Sequence, residues 1–338
     1  MTPPAASVIL CYHRVARLAR DPFALAVEPE RFAEHLAVIA RRRPVALSAL
    51  AAEVRAGAVA PAGVAVTFDD GYVDNLRAAK PLLERTGVPA TVFIATGATG
   101  SSSPFWWEEL EELLLPEGGA ARDAPLELRV DGARASWTIG TPDAAFEVWA
   151  WLRTRSPRAI DAGMDQVRAW AGEPPARATD DRRVMTREEL RELVAGGLVA
   201  CGAHTRTHPV LAAHPAAVQR AEIAGSREDL EAWLGTPVAA FAYPFGRRVI
   251  EYRAATVRVV RRLGFACAVT TDPGHVTARS PLHELPRHVV PVGLDGDAFE
   301  QWLDQRLAPG QGPPPPLRRA AARVRRGLRE HLTPAGRL

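Results

Sequence analysis

The sequence predicts an α/β protein: a distorted, barrel-like (β/α) fold of about seven parallel strands, with a hairpin-and-helix segment inserted into it. Near-continuous apolar runs of strand length recur along the chain, as in parallel strands covered on both faces. Helical patterns lie between them, an alternation that right-handed crossovers convert into a parallel sheet. At 338 residues the chain is long enough for one large barrel with insertions.

In order, the strand signals are SVILCYH (7–13), GVAVTFDDG (63–71), PATVFIAT (89–96), GLVACGAH (197–204), PVAAFAYPFG (237–246), GFACAVTT (264–271) and the weaker HVVPV (288–292). Helical periodicity covers 29–42, 75–87, 186–197, 214–235 and 249–264. The rhythm breaks over 116–183. There LELRVDGARASWTIG reads as a hairpin turning at Asp131-Gly132, followed by helices around 142–155 and 157–172 that carry Trp149, Trp151 and Trp170. This stretch reads as an insertion packed beside the barrel, so the expected organisation is one domain over 1–309 with an insertion at about 116–183. A stiff Pro-rich linker and a basic tail then occupy 310–338.

Composition narrows the class. Apolar residues at 47% and charged residues at 24% are the balance of a soluble protein with a core. A formal net charge of +3 demands no nucleic-acid partner. The opening MTPPAASVILCYHRV lacks a basic n-region, and no stretch approaches the roughly 20 apolar residues of a spanning helix. Cys11, Cys201 and Cys267 form neither a disulfide framework nor a zinc–thiolate pattern. The expected location is the cytoplasm. In the tail, Leu317, Ala321, Val324 and Leu328 form a stripe among arginines. Such a helix either lies peripherally on an anionic inner membrane face or is an ordinary packed or solvated extension.

The chemistry-bearing residues end or follow strands, the edge where the loops of a parallel barrel converge. Asp69 and Asp70 close the second strand; adjacent carboxylates repel unless a cation sits beside them, and Gly71 permits the sharp turn. The plain alternative is a surface Asp-Asp-Gly turn. His204 and His208 leave the fourth strand at a spacing that lets two imidazoles meet one metal, with a distant aspartate completing a two-histidine, one-carboxylate site. After the fifth strand, Tyr243 and Phe245 flank Pro244 in FAYPFG, a turn whose backbone N–H groups are candidates for an oxyanion. By itself it is an aromatic turn.

The ordered set TFDDGY, HTRTHP and FAYPFG resembles the polysaccharide deacetylases (NodB-homology, carbohydrate esterase family 4), over about residues 7–292. CYHRV, PFWWEEL and LPR look like a branch that accompanies cell-surface glycan biosynthesis. The resemblance implies a catalytic domain over 1–309 that removes the N-acetyl group from an N-acetylated amino sugar or glycoconjugate. Asp69 would be the general base, and Asp70, His204 and His208 would hold one divalent ion, Zn2+ first, with Co2+ or Ni2+ also suited. The oxyanion would sit between the ion and a backbone N–H near Tyr243. The chain departs from the family in two places. The late leucine-histidine motif has no clear copy, and Pro237, Val238, Ala239 and Ala240 stand where an arginine is usual. Arg287 is therefore expected to reach Asp69 from a neighbouring strand, and His13, at the end of the first strand, is expected to be the general acid. His275 and His288 are the alternatives, although side-chain alternation turns His288 outward if Arg287 points inward. Trp106, Trp107 and Phe245 are candidates for substrate contact, the tryptophans equally for anchoring a helix. Two other functions stay open: hydrolysis of a non-sugar amide such as a cyclic amide or formamide, and a non-catalytic glycan-binding module.

Overall fold

A computed structural model describes residues 6–115, 124–180 and 182–308; the expected linker and basic tail lie outside the described residues. Along the chain come β1 (Val8–Tyr12), β2 (Arg14–Val15), β3 (Ala26–Val27), α1 (Pro29–Ala40), β4 (Arg43–Pro44), α2 (Leu47–Arg55), β5 (Gly63–Phe68), α3 (Lys80–Thr86), β6 (Ala90–Ile94) and α4 (Trp106–Leu114). Then follow β7 (Leu126–Val130), β8 (Ala133–Trp137), α5 (Pro142–Leu152), α6 (Pro157–Ala171), α7 (Arg187–Val194), β9 (Val199–Ala203), α8 (Ala216–Leu234), β10 (Ala240–Ala242), α9 (Ala254–Arg262), β11 (Cys267–Val269), β12 (His288–Val289) and α10 (Gly296–Leu307). The described residues form two compact units, one from 6–17, 25–101 and 184–308, the other from 18–24, 102–115, 124–180 and 182–183.

In the first unit seven parallel strands, in the order β11-β10-β9-β6-β5-β1-β12, curl into a half-barrel, with β4 added beside β5. The strands are mostly apolar because both faces are covered. Val8, Leu10, Tyr12, Val64, Val66, Phe68, Val92 and Ile94 join one core cluster with Phe32, Leu36 and Ile39 of α1 and Leu190 and Leu193 of α7. Their neighbours Ile9, Ala65 and Phe93 join a second cluster with Leu47, Leu50, Ala51 and Val54 of α2. Each fully buried side chain of this kind contributes about 1.5–3 kcal/mol. Helix starts follow local chemistry: Thr186 and Glu189 form a capping box on α7, and the Asp295 side chain accepts from Ala298 N on α10. Lys80, the single lysine of the chain, is buried and donates to Glu192 O and Ala195 O, the carbonyls left over where α7 ends.

Two helical expectations shift. The 75–87 pattern divides into a π-type turn over Asn75–Ala79 and α3. The 249–264 pattern becomes helix only from Ala254. Val249 is left-handed (φ 73°) and Val249 and Ile250 are exposed, because Glu251 folds back to accept from Arg247 N at 2.8 Å.

The second unit contains most of the expected insertion. Leu126, Leu128 and Val130 of β7 alternate with exposed Glu127 and Arg129, and the hairpin with β8 turns at Asp131 (φ 49°) and Gly132 (φ 73°), the two-residue turn with both central residues left-handed. The apolar face of β7 packs with Leu110 and Leu114 of α4, Val148 and Leu152 of α5, and Met164 and Val167 of α6.

Candidate active site

Strand register places the site residues. Tyr12 pairs with Phe68, so His13 and Asp69 leave the sheet side by side, and Asp69 N donates to Tyr12 O at 3.1 Å. Asp70 is left-handed (φ 74°) and Gly71 follows at φ 87°. A Cβ at position 71 would stand 3.0 Å from Ile94 Cδ1, so this turn needs glycine. The abrupt turn gives the two adjacent carboxylates different partners.

Asp69 belongs to Arg287. The guanidinium is 0% exposed and grips the carboxylate in a fork, Nη1–Oδ1 2.7 Å and Nη2–Oδ2 2.7 Å. It also donates from Nη1 to Thr67 Oγ1 at 3.1 Å and from Nε to Thr270 O at 2.8 Å. This is the planar pairing that arginine makes and lysine does not. Burial pushes the Asp69 pKa up, but Arg287, with His204 and His13, more than reverses that and holds the carboxyl well below the usual range. Asp69 is a fixed anion. Arg287 thus reaches it from beside β12, the strand beyond β1 and not the one next to β5.

Asp70 belongs to the histidines. Its Oδ1 is 3.6 Å from His204 Nε2 and 3.5 Å from His208 Nε2, and all three residues are buried. His204 Nδ1 donates to Ala242 O at 2.9 Å, which fixes the tautomer and leaves Nε2 as the lone-pair nitrogen facing Asp70. Burial lowers the His204 pKa against the pull of Asp69, favouring the neutral ligand form. Donors bound to one ion at about 2.1 Å lie roughly 3.0–3.4 Å apart, and the observed spacings exceed this by little. Two imidazoles and one carboxylate so arranged fit a divalent transition metal.

His13 is half-buried, and its ring lies with Cys11 and Asp69 so that their ligating atoms are within 4.8 Å of one another. Its backbone is bolted down: Asn75 Nδ2 donates to His13 O at 2.9 Å, and Asp74 accepts from Arg14 Nε and Val15 N at 2.9 Å each. Cys11 Sγ lies 3.5 Å from Asp69 Oδ2; burial above all, with the Asp69 charge, pushes its thiol pKa well up, so it is no nucleophile. His288 is buried on the opposite face, edge-on to Trp302 at 6.3 Å. Burial, with Arg306, lowers its pKa to about 4. His275 Nε2 donates to Arg306 O at 2.8 Å. Neither alternative acid joins the cluster of His13 and Asp69.

The Tyr243 side chain and its own N–H are both engaged in the core of the sheet. Its hydroxyl donates to His283 O at 2.9 Å, its ring stacks on Tyr252 at 4.0 Å, and its N–H closes on Val269 O at 3.2 Å. The β10–β11 pairing extends past Ala242 and takes that N–H into the sheet. Phe245, left-handed at φ 60°, sets its ring edge-on to His208 at 4.7 Å. Trp107, in the second unit, is buried and stacks on Phe105 at 4.2 Å. Trp106 is half-buried and meets Trp107 edge-on at 5.8 Å. Sequence reasoning missed Asp74 and Asn75, although they follow the TFDDGY motif within the same turn.

Known proteins resemble this chain in sequence and in fold. A family model described as polysaccharide deacetylase matches residues 56–117 and 166–268. The Bacillus subtilis protein named "Putative polysaccharide deacetylase YxkH" is 26% identical over 120 residues, 36% of this chain; the match spans only 41% of that relative. Among solved structures, the Streptococcus pyogenes deacetylase PplD in complex with acetate is similar at 19% identity, over 88% of this chain and 98% of that one, with a TM-score of 0.57. IcaB from Ammonifex degensii is similar at 20% identity, over 90% and 98%, also with a TM-score of 0.57. At these identities the structures establish likeness of fold.

Proposed function

Since the chain belongs to the polysaccharide deacetylase family, we propose that it is a metal-dependent hydrolase removing the N-acetyl group from an N-acetylated amino sugar in a cell-surface glycan or glycoconjugate pathway. The observation that carries this reading is the convergence of Asp70, His204 and His208 on one point beside the Arg287-clamped Asp69. A divalent ion held by those three side chains supplies a Lewis acid for the acetyl carbonyl and acidifies water.

The remaining work falls to the chain's own residues. Asp69, held anionic, accepts the proton of the attacking water. Arg287 fixes both carboxylate oxygens, so the base cannot rotate away from its task. A carboxylate stabilised this strongly is a weak base, which suits it only to a water already made acidic. His13, on the neighbouring strand end, gives a proton to the departing amine, which is otherwise a poor leaving group. Phe245 walls the His208 side.

The test is acetate release from N-acetylated amino-sugar oligomers and from nucleotide- and lipid-linked N-acetyl sugars. Activity should vanish on chelation and return with Zn2+, Co2+ or Ni2+, and His204→Ala should fail to retain the ion. Unchanged metal content in that variant, or full activity after chelation, would defeat the reading. Residence in the cytoplasm, with the arginine-rich tail touching an anionic inner membrane face, belongs to the same proposal. Equal vesicle sedimentation of the full chain and of a chain lacking residues 312–338 would remove the tail from it.

A further inference from the structure

The segment joining His204 to His208 has an unusual backbone. Thr205 (φ 65°) and His208 (φ 55°) are both left-handed, a region that side chains with a Cβ rarely adopt. Neither residue is glycine, so tertiary contacts must hold the segment. On one side, the turn after β6 supplies Thr96 N to Thr205 O at 3.1 Å and Gly97 N to Arg206 O at 2.8 Å. On the other side stands α8.

Glu222, buried at 8% exposure, aims its carboxylate from α8 at this segment. Oε2 accepts from Arg206 N at 2.9 Å and from Thr207 N at 2.9 Å, and Oε1 accepts from Thr207 Oγ1 at 2.8 Å. Two turns further, Asp229 takes the Arg206 side chain in a fork at 2.8 and 2.6 Å and also accepts from Thr96 Oγ1 at 2.8 Å. The guanidinium of Arg206 lies against Gly225, where a Cβ would stand 2.4 Å from its Cζ. Glu222, Gly225 and Asp229 are spaced i, i+3, i+7 and share one helix face. The contact is therefore a built seat for the loop.

We infer that Glu222 is the positioning residue of the His204–His208 loop: its carboxylate takes up the backbone N–H groups of residues 206 and 207, and so sets His208 Nε2 at its distance from Asp70. Asp229 holds the outer side of the same loop through Arg206. The inference rests on reading Asp70, His204 and His208 as metal ligands. Glu222 touches neither His208 nor Asp70 through any of these hydrogen bonds; it acts through the two backbone N–H groups between the histidines.

Co2+ titration of the full chain tests this, read by the cobalt absorption bands and by chelator competition well below the melting temperature. Glu222→Ala should weaken Co2+ binding on the order of 10–100-fold, as loss of an outer-shell partner does, and should change the band shape. Glu222→Gln keeps an accepting oxygen for the two N–H groups and should recover most of that affinity. Thr207→Val removes only the hydroxyl contact and should cost less than Glu222→Ala. If Glu222→Ala does not fold, Thr207→Val carries the test, and wild-type affinity and spectra in that variant would overturn the inference. So would a Glu222→Ala protein that melts lower but binds Co2+ as tightly as wild type. A wild-type chain that takes up no Co2+ would overturn the metal reading beneath it, an outcome distinct from unchanged affinity in the variants.

Discussion

Replacing Arg287 with Met keeps most of the side-chain volume and removes every donor. The structure fixes what is then lost: two 2.7 Å bonds to Asp69, one to Thr67 Oγ1 and one to Thr270 O, all at a fully buried residue. Breaking a buried pair by removing one partner costs about 3–5 kcal/mol, because the other charge stays behind without compensation. At about 2–4 °C per kcal/mol, the melting temperature should fall by roughly 6–20 °C. Exposure decides this size. Arg17 and Glu30 also pair, at 2.6 Å, but their side chains are 65% and 58% exposed, and Arg17→Ala should cost less than about 1 kcal/mol. The discriminating assay is a double-mutant cycle by thermal and denaturant melts. Adding Asp69→Asn to Arg287→Met removes the stranded charge and should restore part of the loss. Strict additivity, or an Arg287→Met melt within about 2 °C of wild type, would refute the buried-pair reasoning.

Three further outcomes are expected. Asp69→Asn should keep its metal yet lose at least the 10²–10⁴-fold that general-base catalysis typically supplies; near wild-type turnover would mean that the roles of Asp69 and Asp70 are exchanged. His13→Ala should depress amide hydrolysis more than ester hydrolysis without changing metal content, since an alkoxide leaves more easily than an amine, while His288→Ala should spare the chemistry; equal amide turnover in His13→Ala and wild type would reject His13 as the acid. His35, fully buried against Phe299 at 4.0 Å, has its pKa lowered from 6.5 to about 4 by burial first of all. The unfolded chain therefore takes this proton at higher pH than the folded one, so the stability contribution is complete above about 6.5 and is lost as pH falls toward 4, to a limit of about 3 kcal/mol. His35→Gln should flatten melting temperature against pH in that window, and an unchanged slope would remove His35 as the cause.

The seven strands were legible because burial on both faces writes a continuous apolar run, and β1, β5 and β6 are buried at every position. Arg287 was legible through the resemblance, which implies an arginine beside the base; alternation then put its neighbour His288 on the other side, where it faces Trp302. The start of α9 was not, since Val249 and Ile250 continue the apolar pattern although the chain is turning and both are exposed. The engagement of the Tyr243 N–H was not legible, because it depends on a backbone pairing one residue beyond the strand, which register sets and composition does not. Glu222 stands 14 residues beyond His208 in the sequence. Its spacing with Gly225 and Asp229 marked a helix face, but nothing local said what that face would meet.

The strained backbone carries a last argument about how this site is maintained. Asp70, Thr205, His208 and Phe245 all have left-handed φ, and each such residue costs about 1–2 kcal/mol. For the histidine loop alone, Thr205 and His208 together cost about 2–4 kcal/mol. The three bonds to Glu222 return about 4–9 kcal/mol if each has the charge-assisted value. Those values are already net of the exchange with water, so the three bonds are large enough to offset the strain of the loop. Glycine at position 208 would relieve the strain and delete the imidazole that faces Asp70. Reading His208 as a ligand explains why the left-handed position is occupied by a residue that resists it, and why a buried glutamate on the next helix is needed to hold it there.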